Sequence, residues 1–245
     1  MEFLTEQFGN WRFYLLGSYP TGPVGGLAAN LMMAILCLSL GLVAGIVLGL
    51  GRLSRHNFLR WPCAVCVEVI RATPALLLVF WFAFFLPSVA GRNLPLFWGA
   101  VLGLSAHAAA YQAEIVRAGI LAVPGGQFDA ALASGMTRIQ ATRLVVLPQA
   151  FRMMLPAFAS FAISLFKDTS IVYIIGIVDL VQTGVIVSQR QPNRMLAAYI
   201  CMAMGFFVVC RSMASVAKIL EKRVGALSVP QTPPMAVEHR EMKQE

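Results

Sequence analysis

Between Arg12 and Arg52 the chain carries no charged residue, and the apolar part of that stretch runs from about Val24 to Leu50. A helix needs about 20 consecutive apolar residues to cross a bilayer. The chain has 245 residues, of which 58% are hydrophobic and 12% charged. Soluble domains carry about twice that charged fraction, so this chain cannot wet the surface of one. Disorder is excluded by the same composition. Five cysteines do not make a disulfide-rich secreted scaffold. A multi-span membrane protein remains.

Further apolar runs follow. One lies between Arg71 and Arg92, and another runs from Asn93 to Ala113 with His107 inside it. A third stretches from Met153 to Val187, interrupted by Lys167, Asp168 and Asp179, and the last runs from Met195 to Cys210. The interrupted stretch reads either as one span plus a hairpin or as two spans. Basic residues gather on the cytoplasmic side of membrane proteins. With the N-terminus outside, since Glu2 and Glu6 precede any Lys or Arg, five spans put eleven basic residues inside: Arg52, Arg55, Arg60, Arg117, Arg138, Arg143, Arg152, Arg211, Lys218, Lys222 and Arg223. Arg12, Arg92, Arg190 and Arg194 stay outside. Six spans would place the basic C-terminal cluster outside, so five is the expectation. No basic n-region or small-residue cleavage site marks a signal peptide. The net charge of +8 follows from this topology and from contact with anionic lipid, with no nucleic acid implied. Gly41, Gly45 and Gly49 share one face of the first span and read as a packing stripe for another helix of the same chain.

The segment Pro124–Pro148, PGGQFDAALASGMTRIQATRLVVLP, is too polar to span and too patterned for a plain loop. Gly125 and Gly126 lead into a short helix over Gln127–Ser134, and Gly135 stands where a helix stops. Thr137 and Gln140 form a capping box that starts a second helix, which Pro148 would end or join to the next span. Asp129-Ala130-Ala131, Gly135 six residues after the acid, and Pro148 thirteen after the glycine resemble the EAA loop of ABC importer permeases. VEVIRATP (Val67–Pro74), AEIVRAGI (Ala113–Ile120), LPQAFRMMLP (Leu147–Pro156) and KDTSIV (Lys167–Val172) follow in the order of the polar amino-acid permeases. FKDTSIVYIIGIVDL looks most like the glutamate/aspartate branch. Asp129 replaces the usual Glu of the motif, which keeps the charge and shortens its reach.

The resemblance implies an all-α membrane protein with the type I ABC importer permease fold: about five transmembrane helices and a cytoplasmic coupling loop. With the apolar runs, it divides the chain into an extracytoplasmic segment at 1–23, a permease domain at 24–223 with its coupling loop at about 124–148, and a tail at 224–245 whose polar, proline-bearing composition reads as a disordered cytoplasmic segment. It implies residence in a bacterial inner membrane and transport of glutamate or aspartate, or else of glutamine, histidine, arginine or cystine. In that family the first short helix docks on a cytoplasmic ATPase. The residues suit it: Ala130, Ala131 and Gly135 allow close approach, while Phe128 and Leu132, four apart, offer an apolar ridge. An interfacial helix lying on lipid is the other reading of such an amphipathic piece.

No lysine follows a glycine anywhere in the chain, so there is no phosphate-binding G-K-[ST]. The motor is therefore expected in a separate ATPase pair that binds ATP, and this subunit is expected to need no cofactor or metal and to carry no catalytic residue. A solute-binding protein and a second permease, identical or paralogous, complete the expected set. The alternative of an ATP-independent secondary transporter would require a coupling-ion site or selectivity ring, and neither is legible. Cys63 and Cys66 read as small buried thiols, and His107 as a neutral packing or hydrogen-bonding histidine, with a pore-lining role the other reading.

Ionisable groups inside a membrane default to functional hypotheses. Glu68 and Arg71, and Glu114 and Arg117, lie three apart and near the inner boundary. They read as two local ion pairs anchoring helix ends, or as a cytoplasmic gate. Lys167, Asp168, Thr169 and Ser170 lie some way along the fourth span, deeper or shallower according to whether it starts near Ala150 or earlier. Asp168, Thr169 and Ser170 are N-cap types, so a helix is expected to break and restart there, either lining the translocation path or serving as a structural break.

Overall fold

The computed structural model describes residues 11–91 and 93–225. The expectations for Glu2, Glu6 and Arg92, and for the tail beyond residue 225, lie outside the described residues. Helix α1 (Trp11–Leu16) leads through a tight turn into α2 (Gly26–Arg52), the expected first span. At 1.5 Å per residue its 27 residues reach about 40 Å, more than the ~30 Å hydrocarbon core.

The apolar run between Arg71 and Arg92 folds as α4 (Ala75–Ala90), which meets α3 (Asn57–Ala72) at a bend of 106°. Pro74 makes the bend, because a proline ring pushes the preceding residue out of the helical region. Thr73 accordingly sits at φ −92°, ψ 130°.

Helix α5 (Leu96–Leu121) follows, with 26 residues. Ser105, His107 and Gln112 make its middle too polar to face lipid, and the fold encloses it: 14 of its residues are buried. The glycine stripe of α2 lies along it. A Cβ at Gly41 would meet that of Ala108 at 2.6 Å, and one at Gly45 would meet Ala109 O at 3.0 Å. On the other side Gly99 and Gly103 of α5 bring the α4 backbone just as close at Ala83 and Val79. The expected packing within one chain is therefore what the stripe does.

Helix α6 (Gly125–Ala133) precedes α7, a continuous helical run over Arg138–Ile175. In α4 and α7 the residue before a proline, Leu86 before Pro87 and Leu147 before Pro148, donates its N–H to the carbonyl five back, Trp81 and Thr142. Each such π turn widens the helix where the proline lacks an N–H and would clash with a carbonyl. Pro148 thus marks entry into the span and does not end a helix.

The last part of α7 tightens into a 3-10 turn over Thr169–Ile175. Gly176, at φ +87°, takes a left-handed conformation open to glycine and reverses the chain into α8 (Leu180–Arg190). With 11 residues α8 reaches only about 16 Å, so Met153–Val187 is one span plus a hairpin. Helix α9 (Met195–Gly225) closes the fold. Among the described residues α2, α7 and the run containing α9 are each long and apolar enough to cross a membrane, as is the α3–α4 pair taken together. Helix α5, as long as these but more polar, is enclosed among them. The core joins α2, α4, α5 and α7 through Met33, Cys37, Val79, Leu104, Leu165 and Val172.

Candidate functional site

Three polar constellations stand out against this apolar frame. The first is the loop between α5 and α7. Helix α6 starts at Gly125, two residues earlier than the sequence indicated, with Pro124 as its N-cap. It stops at a left-handed glycine: Gly135 has φ +84°. The Gly135 N–H donates to Leu132 O and the Met136 N–H to Ala131 O, the paired bonds of a Schellman end. The Thr137–Gln140 capping box forms as expected, with Gln140 N donating to Thr137 Oγ1 at 3.3 Å and Thr137 N to Gln140 Oε1 at 2.9 Å. Ala131 is buried against the chain, and Phe128 and Leu132 are half-buried. The outermost residues of α6 are thus Gln127, Asp129, Ala130 and Ala133, so the apolar ridge is partly turned inward. A small, acidic, close-approach face remains outside.

The second constellation is ionic. The sequence offers two self-contained pairs, Glu68–Arg71 and Glu114–Arg117. The fold joins them through Arg52, the residue that ends the long uncharged run. Arg52 Nη1 donates to Glu114 Oε2 at 2.7 Å and Nη2 to Glu68 Oε1 at 2.9 Å. Arg71 lies 3.7 Å from Glu68 and 4.0 Å from Glu114, and Arg117 forks onto Glu114. One network therefore ties the ends of α2, α3 and α5. The reach of Arg52 was missed, although its place as the first charge after a long apolar run was a usable signal.

The third lies at the far end of α7. Lys167 is exposed, Asp168 and Ser170 are half-buried, and Thr169 is fully buried. The expected restart at Asp168 does not occur. Thr169 Oγ1 donates to Phe166 O and accepts from Asn30 Nδ2 at 3.0 Å, so it caps nothing, and the backbone stays helical to Ile175. The restart comes at Asp179, whose carboxylate accepts from Gln182 N at 2.8 Å and from Asn30 Nδ2 at 3.1 Å. Asn30 Oδ1 in turn accepts from Leu180 N at 3.0 Å. This buried clasp fixes the α8 hairpin to the start of α2, and nothing in the sequence pattern links residues 30 and 179.

Between the second and third constellations runs a polar column on α5. The Arg71 guanidinium lies 5.4 Å from the Tyr111 ring centroid, a cation–π contact. Tyr111 stacks on Phe161 and lies 4.6 Å from His107. His107 Nδ1, Ser105 Oγ and Gln112 Oε1 are buried with no hydrogen-bond partner among the described residues. Uncompensated polar atoms in an apolar interior are costly. Of the two cysteines read as buried thiols, Cys63 is half-buried against Gly51 but Cys66, on another face of α3, is exposed.

Comparison with known proteins follows the same lines. Residues 41–226 match the family described as binding-protein-dependent transport system inner membrane component. The chain is 34% identical over 200 residues to the L-cystine transport system permease protein TcyB of Bacillus subtilis, covering 82% of this chain and 85% of that one. It is 36% identical over 218 residues to the glutamate transport system permease protein GluD of Corynebacterium glutamicum, covering 88% and 77%. It is 32% identical over 209 residues to the glutamate/aspartate import permease protein GltK of Escherichia coli O157:H7, covering 81% and 91%. The crystal structure of an amino acid ABC transporter with histidines superposes with a TM-score of 0.80 at 30% identity, over 91% of this chain and 99% of that one. The MetNI methionine ABC transporter in an inward-facing form shares the fold, with a TM-score of 0.61 at 21% identity over 80% and 91%.

Proposed function

Because this chain belongs to the family of binding-protein-dependent inner-membrane permeases, we propose that it forms half of the translocation path of an ATP-driven importer for glutamate or aspartate. It is a transport protein and not an enzyme. The observation that carries the amino-acid ABC permease reading is the near full-length likeness to the amino acid ABC transporter structure. The acidic-substrate reading is supported by the FKDTSIVYIIGIVDL segment and by the two relatives named for glutamate. The relative named for L-cystine favours a second reading, in which the solute is cystine.

In this scheme the N-terminus lies outside and the basic C-terminal end of α9 inside. A separate ATPase pair binds the nucleotide, an extracytoplasmic binding protein delivers the solute, and a second permease, copy or paralogue, completes the path. Helix α6 docks on the ATPase: Asp129 and Ala130 present the outer face, Phe128, Ala131 and Leu132 set the helix on its own chain, and Gly135 turns the backbone. ATP closes the motor, the docked helices approach, and the spans open outward. Lys167, Asp168, Thr169 and Ser170, with His107 nearby, are the segment offered to the solute. The network of Glu68, Arg71, Glu114 and Arg117 holds the inner ends of the spans, so it acts at the inner mouth.

Two measurements test this. In vesicles holding the permease, its ATPase and its binding protein, ATP-driven uptake of labelled glutamate should be competed by unlabelled aspartate. Competition by cystine alone would transfer the assignment to the second reading. For docking, Gly135→Asn should keep uptake, since Asn tolerates the left-handed conformation. Gly135→Arg meets nothing within 4 Å of a Cβ but strains the left-handed backbone, so it should lose ATPase co-purification or uptake beyond any loss in Gly135→Asn. If Gly135→Arg leaves both intact, docking does not run through this loop.

A further inference from the structure

Where the ends of α2, α3 and α5 meet, the ionic network opens into a pocket of about 480 Å³ lined by Arg52, Arg60, Arg117, Glu68, Trp61 and Val65. The charges here do not balance. Arg52, Arg71 and Arg117 share the two carboxylates of Glu68 and Glu114, and Arg60 adds a fourth guanidinium with no ion pair among the described residues. The network together with Arg60 therefore carries two more positive than negative charges. Its outer wall is apolar: Trp61 is 67% exposed, and Val65 and Val69 continue that face along α3. An exposed tryptophan beside arginines at the end of a membrane-bound helix sits at headgroup depth, and basic pockets between helices accept anionic headgroups.

We propose that this pocket holds the phosphodiester of an anionic phospholipid, with its acyl chain along Trp61, Val65 and Val69. A soluble anion would satisfy the guanidiniums but leave that wall bare. The lipid fits both halves, and it would join the α2–α3–α5 latch to the composition of the surrounding leaflet.

The test uses the complete importer in phosphatidylcholine vesicles doped at equal mole fraction with brominated phosphatidylglycerol or brominated phosphatidylcholine. Trp61 emission is isolated as the difference between the native protein and Trp61→Phe. Each arginine near an anionic surface strengthens lipid attraction roughly fivefold. The phosphatidylglycerol should therefore be enriched roughly tenfold or more at Trp61, and Arg60→Gln should lower that about fivefold. Arg60→Lys should keep most of it. Because Arg60 is exposed, these variants fold and their uptake is followed alongside, so a failure of transport is read separately from a failure of lipid preference. Equal quenching by both lipids, or by neither, overturns the proposal. Loss of the preference on adding inorganic phosphate overturns it too, in favour of a soluble anion.

Discussion

Replacing Arg52 with Met removes a charge and two hydrogen bonds while keeping the stem that packs at the end of α2. Its side chain is 12% exposed, and it bonds Glu114 at 2.7 Å and Glu68 at 2.9 Å. A charge-assisted hydrogen bond contributes about 1.5–3 kcal/mol. The bond to Glu68 counts for less, because that carboxylate is 57% exposed and exposed pairs contribute at most about 1 kcal/mol. The expected loss is thus about 3 kcal/mol, most of it through Glu114. For chains of this size it lowers the apparent Tm by about 6–12 °C. The decisive measurement is a double-mutant cycle with Glu114→Gln, read as the midpoint of thermal aggregation in nanodiscs. A joined network predicts a coupling of about 2 kcal/mol. Two independent i,i+3 pairs predict that the two losses add within about 0.4 kcal/mol. Additivity would mean that Arg52 does not bind the pairs together, and the latch would be wrong.

Two further outcomes follow from packing and from the clasp. Gly45→Ala places a Cβ 2.9 Å from Gln112 Cβ and 3.0 Å from Ala109 O, so α2 and α5 must part and stability should fall by about 1–3 kcal/mol. Gly126→Ala, where nothing lies within 4 Å, should not lower it, and equal Tm shifts for the two would contradict the packing. Asn30→Ala strips partners from Asp179, Thr169 and Leu180 N. Each buried group left without a partner costs about 1–3 kcal/mol, so the same thermal assay should show a loss of several kcal/mol. A change under about 0.5 kcal/mol would show that the clasp is not closed.

What the sequence made legible was local. The spans, the Schellman glycine at 135 and the Thr137–Gln140 box depend on residues within a few positions of one another, so periodicity and capping chemistry reach them. The run of apolar residues from Arg71 to Arg92 hid that the helix begins at Asn57 and bends through 106° at Pro74. The rest depended on what lies opposite in space. Arg52 meets Glu114 across 62 positions, and Asn30 meets Asp179 across 149, separations at which no pattern in a single sequence operates. Asp168, Thr169 and Ser170 have good N-cap side chains, but Thr169 is claimed by Asn30 and the Phe166 carbonyl. Tertiary demand overrode a local preference there.

These pieces also constrain how a push at the loop would travel. Helix α6 packs against the π turn Thr142–Val146, and α7 then runs without a break to the buried Thr169. The root of the loop packs α5 to α7 through Val116, Val123, Ala150 and Met154, and Gly119 lets Met154 press on the α5 backbone. Displacement at Asp129 therefore reaches two rods at once. One is α7, whose far end is held by the Asn30–Asp179 clasp. The other is α5, whose near end is held by the arginine latch. A rod clamped at one end and pushed at the other must yield where its hydrogen bonding is already irregular, and in α7 that place is the π turn before Pro148. The loop is thus joined to the membrane through a π turn.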